Sequence, residues 1–301
     1  MNEISYDKLQ GDSSDRDIQI ITVDGTHSRW SYEAPHWGKR FPIIIGDTYR
    51  HGGVSKLPFS SLNLAFHVGD KADDVITNRR IVSDYLGVSS DCITCANQVH
   101  GLRVMRVTET LVGAGAYGEE TAIPDCDAIY TNLVEVPLFL FTADCVGVAI
   151  YDSAHHALAV VHAGWKGTIG HLPVLTIEAM ERDFGTHFKD CYIYLGPSIG
   201  PESFEVNREL ADTFSAEWKR MTTVDAAELV QYIQREGSNM RTPHINLWRF
   251  IAEDLVQRGV LKENICIGGT DSMISEDCFS YRREAGKTGR MALFGMLTSL
   301  K

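Results

Sequence analysis

Cys145 in TADCVGVAIYD and His162 in SAHHALAVVHAGW are a thiol and an imidazole placed where a metal could use both. The residues between them read as two buried strands, 146–151 and 157–163, joined by a short link. A link that short permits an antiparallel hairpin but not a parallel crossover. With the turn centred on Ser153-Ala154, Asp152 faces His155 and Cys145 faces His162. Directly opposed residues share a face with Cβ atoms about 4.5–5.5 Å apart. At that separation a thiolate and an imidazole nitrogen, at about 2.3 and 2.0 Å, can meet on one zinc. Ser-Ala lacks the positive-φ preference of two-residue turns, which leaves a longer loop or a shifted register open. Packing is the competing explanation: a buried Cys serves as a small hydrophobe and a core His is commonly only hydrogen-bonded. A third ligand would decide between them. His100 in NQVHG, beside Gly101 at the edge of the segment 102–107, is the best placed. Three protein ligands with an open fourth position describe a catalytic zinc. His67 in LAFHVGD reads as a cleft residue and a substrate contact, and spacing alone does not choose His100 over it.

Other motifs carry less. Cys92 and Cys95 form a CxxC without a second pair, so neither a structural zinc nor a thioredoxin-like site is complete. HAGWKGT (162–168) suits a strand-to-helix corner, where a helix N-terminus and the Lys166 cation would hold an anion, or a plain turn. GPSIGP (196–201) matches no nucleotide fingerprint. YRREAGKTGR (281–290) clusters cations beside glycines and reads as an anion site or a solvated loop. His155 and His156 fall in the presumed turn as solvated residues. His51, His171 and His244 offer no identifiable partner.

The elements that must position these residues follow from pattern. Near-continuous apolar runs at 42–46, 102–107, 137–141, 146–151, 157–163, 191–196 and 291–297 predict strands buried on both faces. Helical spacing covers roughly 168–184, 207–220, 225–236 and 247–259. Together they predict an α/β fold: a single layered domain with mixed, partly antiparallel sheets flanked by helices. Residues 1–38 are polar and read as an N-terminal extension, with one catalytic domain over 39–301.

The chain has 301 residues, 44% of them hydrophobic, and a net charge of −12. That acidity argues against nucleic-acid or membrane-surface partners, which want Lys/Arg clusters. No apolar run reaches the ~18–20 residues of a membrane span, and the polar start, without a basic end or an apolar stretch, does not read as a signal peptide. Seven scattered cysteines, an odd number, suggest reduced thiols and a cytoplasmic setting.

In order along the chain come RHGGVS, SSLNLAFHVGD, NQVHG, DAIYTN, TADC, VVHAGWKGT, GPSIGPESFEV and FSYRREAGKTGRMA. Over roughly residues 41–298 the sequence thereby resembles the YfiH/YlmD-like purine nucleoside phosphorylases, also called laccase-domain proteins or polyphenol oxidases. The resemblance implies a zinc held by His100, Cys145 and His162, which are also the catalytic residues. It implies phosphorolysis of adenosine, inosine and S-methyl-5′-thioadenosine, together with adenosine deamination. The implied partners are purine nucleosides and phosphate, and the implied assembly is a monomer or homodimer. Arg50 and Lys166 become candidate phosphate contacts, and Asp127 and Asp144 candidate orienting or acid–base carboxylates. The chain departs from the family pattern at Gly147, Lys166, Ser198 and Gly269-Thr270. Lys166 replaces a bidentate guanidinium with a point charge. Three alternatives stand beside this one. A copper polyphenol oxidase would use the same Cys and His types, but no second copper cluster can be assembled from the chain. A Cys–His hydrolase would use Cys145 as nucleophile and His162 as base. A non-catalytic module would bind purines or proteins without turnover.

Overall fold

The computed structural model describes residues 16–22, 29–234, 237 and 239–300. Its strands are β1 (Arg16–Thr22), β2 (Arg29–Pro35), β3 (Ile43–Thr48), β4 (Thr94–Cys95), β5 (Val104–Arg106), β6 (Ala128–Thr131) and β7 (Leu138–Thr142). They continue with β8 (Val146–Asp152), β9 (Ala157–Ala163), β10 (Cys191–Leu195), β11 (Val230–Gln234), β12 (Arg241–Ile245), β13 (Ile265–Ile267) and β14 (Met291–Leu297). The helices are α1 (Ala72–Leu86), α2 (Trp165–Ile169), α3 (Leu172–Phe184), α4 (Arg208–Met221) and α5 (Leu247–Gln257).

Two six-stranded sheets, ordered β1-β2-β3-β14-β7-β4 and β13-β10-β8-β9-β6-β5, form the centre. Both are mixed: β4–β7, β5–β6 and β10–β13 pair parallel, the other ladders antiparallel. The inner faces pack on each other through Ile45, Leu140 and Leu293 from one sheet and Ala149, Leu158, Val160 and Tyr194 from the other. Helix α1 covers the outer face of the first sheet, and α3, α4 and α5 cover the second. Strands sandwiched in this way bury every residue, as β8, β9 and β14 do. Each buried Val, Leu or Ile contributes roughly 1.5–3 kcal/mol, so the apolar runs have one stable place in the layers. Among the described residues no helix is long and apolar enough to cross a membrane. All seven cysteines are free.

Alternation along β8 and β9 decides which residues face the other sheet. Val146, Val148 and Ile150, with Ala159 and Val161, face the helices. Ala149, Tyr151, Leu158 and Val160 face the first sheet. Cys145, Gly147 and His162 carry the parity of that second set and therefore belong to the inter-sheet face.

Several expectations need correction. The β8–β9 connection spans residues 153–156, and His162 pairs with Gly147, Asp152 with Ala157. Cys145 is thus not directly opposite His162 but one diagonal step away. Asp152 meets His155 inside the turn, not across the ladder. Its carboxylate accepts from the backbone N–H of Ala154 and His155 at 2.9 and 3.2 Å, and it lies 2.8 Å from His155 Nδ1. The helix expected over 225–236 is, in its described part, a 3-10 turn (Ala226–Glu228) followed by β11, which pairs with β12. The helical run 168–184 breaks at Gly170-His171 into α2 and α3. Of residues 1–38, 1–15 and 23–28 lie outside the described residues; 16–22 and 29–35 form β1 and β2, which extend the first sheet. Helix α1 falls where no helix is expected.

Candidate functional site

Three backbone segments converge where the two sheets part. The loop 97–101 carries His100, the residue preceding β8 is Cys145, and His162 is the last residue but one of β9. One donor atom from each of the three lies within 4.8 Å of the others. His100 Nε2 and Cys145 Sγ are 3.8 Å apart, and the imidazole rings meet edge to face at 4.7 Å between centroids. The two-residue register difference preserves this meeting, because residues i and i+2 share a face and diagonal partners stay within reach.

Asp127, immediately before β6, ties the cluster together. Its carboxylate accepts from the backbone N–H groups of Val99, His100 and Gly101 at 3.2, 3.0 and 2.7 Å. It also lies 2.8 Å from His162 Nδ1, which turns Nε2 toward the other donors. Successive N–H groups aimed at one anion form a nest. The nest holds His100 at φ 57°, and Asp144, beside Cys145, sits at φ 89°. Such backbone costs on the order of 1–3 kcal/mol per residue and persists where surrounding bonds over-determine it. Asp144 is held likewise, by the Ser272 hydroxyl and the Arg282 N–H, both donating at 2.7 Å. Gly164 completes the cradle: a Cβ there would stand 3.0 Å from Cys145 Sγ and 3.1 Å from His100 Cδ2.

The electrostatics follow from these contacts. Burial works against the Cys145 thiolate, but the charge and hydrogen bonds of His162 and His100 outweigh it and bring the thiol below its usual range. Burial likewise opposes charge on His162, and Cys145 and Asp127 overcome it and raise the imidazole. Asp127 is pulled down despite its own burial by His162 and the backbone donors. Burial first, then the Arg290 charge, push His67 down to about 4, so its ring is neutral.

The donors open into a cleft of about 500 Å3, also lined by His67, Gln98, Phe141, Trp165, Tyr281 and Arg290. The structure thus gathers His100, Cys145, His162, Asp127 and His67. Arg50 and Lys166 lie elsewhere. Arg50 donates to Glu284 at 2.6 Å and stacks over Phe279, outside the cleft lining. Lys166 is exposed beside the Trp165 ring and also outside the lining. Ser198 is buried and accepts from Trp248 Nε1 at 2.6 Å. Cys95 is buried, and burial raises its thiol, which suits packing. The histidines without an expected partner have one: His51 meets Asp277, His171 meets Asp254 and Glu217, and His244 meets the Thr242 carbonyl. Sequence reasoning missed Gln98, whose amide brackets Phe141 at its backbone N–H and C=O, and the aromatic pair Trp165 and Tyr281. It also left Arg290 undistinguished within its cationic loop. The one available signal was that loop's glycines and arginines.

A family model described as multi-copper polyphenol oxidoreductase laccase matches residues 44–298. The chain is 34% identical over 253 residues to the purine nucleoside phosphorylase YlmD of Bacillus subtilis, covering 84% of this chain and 87% of that one. It is 29% identical over 245 residues to a purine nucleoside phosphorylase of Bacteroides thetaiotaomicron, covering 81% and 87%. Among solved structures, Bacillus licheniformis YfiH superposes with a TM-score of 0.81 at 28% identity, covering 91% of this chain and 98% of that one. YlmD of Geobacillus stearothermophilus gives 0.80 at 29%, covering 93% and 100%.

Proposed function

The chain belongs to the YfiH/YlmD-like family, and from that premise we propose that it is a zinc-dependent purine nucleoside phosphorylase. The proposed substrates are adenosine, inosine and S-methyl-5′-thioadenosine, with deamination of adenosine as a second activity at the same site, in a cytoplasmic setting.

The observation that carries this reading is the convergence of His100, Cys145 and His162 on one point at the floor of a cleft. Two imidazoles and a thiol are donors that zinc takes in tetrahedral sites, and three of them leave a position open. The Gly164 cradle keeps that point free of side-chain atoms. These three residues would hold the ion; zinc supplies a Lewis acid for a substrate oxygen or water. Copper accepts the same donor types, but this is the only such group of three among the described residues, whereas a multicopper oxidase needs further clusters.

The chain's own residues do the rest. Asp127 holds the His162 ring in one orientation and keeps the His100 loop closed. Trp165, Tyr281 and Phe141 offer flat faces for a purine. Gln98 is committed to the Phe141 backbone and so fixes that wall. His67, neutral, offers one donor and one acceptor to the nucleoside. A volume near 500 Å3 suits a ligand of that size.

The test is to incubate metal-analysed protein with adenosine, with and without phosphate, and to separate the products. Adenine and ribose 1-phosphate that require phosphate are expected, and inosine reports deamination. No product under either condition would overturn the reading. Turnover by metal-free protein that a thiol alkylator abolishes would instead transfer the chemistry to Cys145 as a nucleophile.

A further inference from the structure

Phosphorolysis needs a holder for phosphate, and the two cations the motifs suggest do not face the cleft. Arg50 is spent on Glu284, and Lys166 is exposed outside the lining. The cationic loop 281–290 offers better candidates, and its arginines differ in how much hydrogen-bonding capacity they retain. Arg283 is committed to four backbone carbonyls, those of Ser272, Met273, Ser275 and Cys278. Arg282 also lines the cleft and makes one hydrogen bond, to the Glu205 carbonyl, but it is exposed to solvent and its guanidinium is turned over the Phe204 ring. Arg290 lines the cleft beside the donor cluster. Its Nη1 donates to the carbonyls of Thr288 and Gly289 at 2.9 and 3.0 Å. Its Nε and Nη2 have no hydrogen-bond partner, and its charge no carboxylate within 4.0 Å, among the described residues.

The backbone fixes this arginine in place. Its N–H donates to Asn63 Oδ1 at 2.9 Å, and its carbonyl accepts from Leu64 N–H at 3.2 Å. Asn63 is itself anchored to the Ala65 carbonyl and to Asp70. One guanidinium edge is therefore tied down and the other is left to the cleft. Cys145, Asp144 and the Tyr281 ring, 5.6 Å away, favour the Arg290 charge from a distance, but none is a direct ion pair, and a partly buried cation gains from an anionic ligand that is one. Nε and Nη2 form the fork that grips two oxygens of a tetrahedral oxyanion. In a chain of net charge −12 an anion needs such a local cation.

We propose that Arg290 is the phosphate-binding residue of this site, taking inorganic phosphate through its Nε and Nη2 edge. The proposal rests on the phosphorylase reading above. An oxygen of hydrogen phosphate forms the bond to C1′ as the C1′–N9 bond breaks. The electron pair leaves with the purine, whose nitrogen takes up the proton of hydrogen phosphate, and Arg290 keeps its two donors on the transferred group.

The test compares wild type, Arg290→Gln and Arg290→Lys. The readouts are phosphate KM at saturating inosine, inosine KM, bound metal, and equilibrium dialysis of inorganic phosphate. Arg290→Gln is expected to raise phosphate KM about 10–100-fold, as a lost charge-assisted fork should, with inosine KM and metal content within about twofold. Arg290→Lys falls between, because it keeps the charge without the fork. A phosphate KM within about twofold of wild type in metal-replete Arg290→Gln overturns the proposal. If Arg290→Gln loses metal or fails to fold, the same result in Arg290→Lys overturns it. If wild type forms no ribose 1-phosphate, the phosphorylase reading falls and dialysis decides separately. Phosphate bound by wild type and lost by the variants upholds the anion site; equal binding, or none by wild type, removes it.

Discussion

Asp127 and Asp47 are both fully buried carboxyls, yet one is saturated with donors and the other has none. Asp127 receives three backbone N–H groups and an imidazole. Asp47, in β3, sits across the ladder from Glu33, and neither of its oxygens finds a partner among the described residues. The neighbouring Glu33 takes the local donors: Arg16, Tyr49, Tyr194 and Thr270. Asp47 is left against glycine backbone, where a Cβ on Gly196 would lie 2.5 Å from Oδ2. Burial and the Glu33 charge push Asp47 well above the usual carboxylate range, while donors hold Asp127 below it. Depth is therefore not what keeps a charge inside this protein; donors are.

The largest effect that tests this contrast is Asp127→Ala. It leaves three N–H groups and an imidazole without their acceptor, and removal of one partner from a buried charged pair costs about 3–5 kcal/mol. Metal affinity is expected to fall about 10–100-fold as His162 loses its orienting partner. Denaturant unfolding and metal titration check both; a variant that binds metal like wild type would break the contrast. Asp47→Asn is expected to act in the other direction and stabilise the fold at pH 7 by about 1–2 kcal/mol, since it removes a buried ionisable group that has no hydrogen bond to lose. A loss of stability on equilibrium unfolding would show that Asp47 has a use its surroundings do not reveal. The smallest effect is in the pH dependence. Asp47, raised in the folded state, contributes stability below its unfolded pKa of about 4 that is lost as pH climbs through its raised value. Asp127, lowered in the folded state, contributes stability above about 4 that is lost as pH falls through its depressed value. Melting temperature against pH should therefore flatten above pH 4 in Asp47→Asn and below pH 4 in Asp127→Ala. The same slopes in wild type and both variants would sink the assignment.

The legible parts of the fold were those where one force dominates. β9 and β14 appear as apolar runs with the bounds they have in the structure, because strands buried on both faces need nothing else. α1 escaped because its buried face carries Asn78, Arg79 and Ser83 among Val75, Val82 and Leu86, which interrupts the apolar stripe. Asn78 and Arg79 are buried because they hydrogen-bond loop backbone, an arrangement that spacing does not encode. The segment 225–236 has helical spacing, but pairing with β12 overrides it after Leu229. β1 was unreadable as a strand because it is an edge, with Ile18 and Ile20 exposed. At the site, Cys145 and His162 were legible from the hairpin. The turn was not, because the Asp152 side chain caps a four-residue connection that a two-residue template misses. His100 rested mainly on resemblance, since what selects it over His67 is Asp127, beyond β5 at the start of β6. The free edge of Arg290 depends on where its neighbours' carbonyls point, which no motif records.

The four-residue connection between β8 and β9 also has a practical side. Residues 153–155 are exposed and sit at the opposite end of the hairpin from the cleft. Strands of seven residues put about 23 Å between that turn and the donors. A reporter group or short peptide tag inserted there would ride on two fully buried strands without touching a ligand. The hairpin thus offers an attachment point mechanically continuous with the site and chemically remote from it.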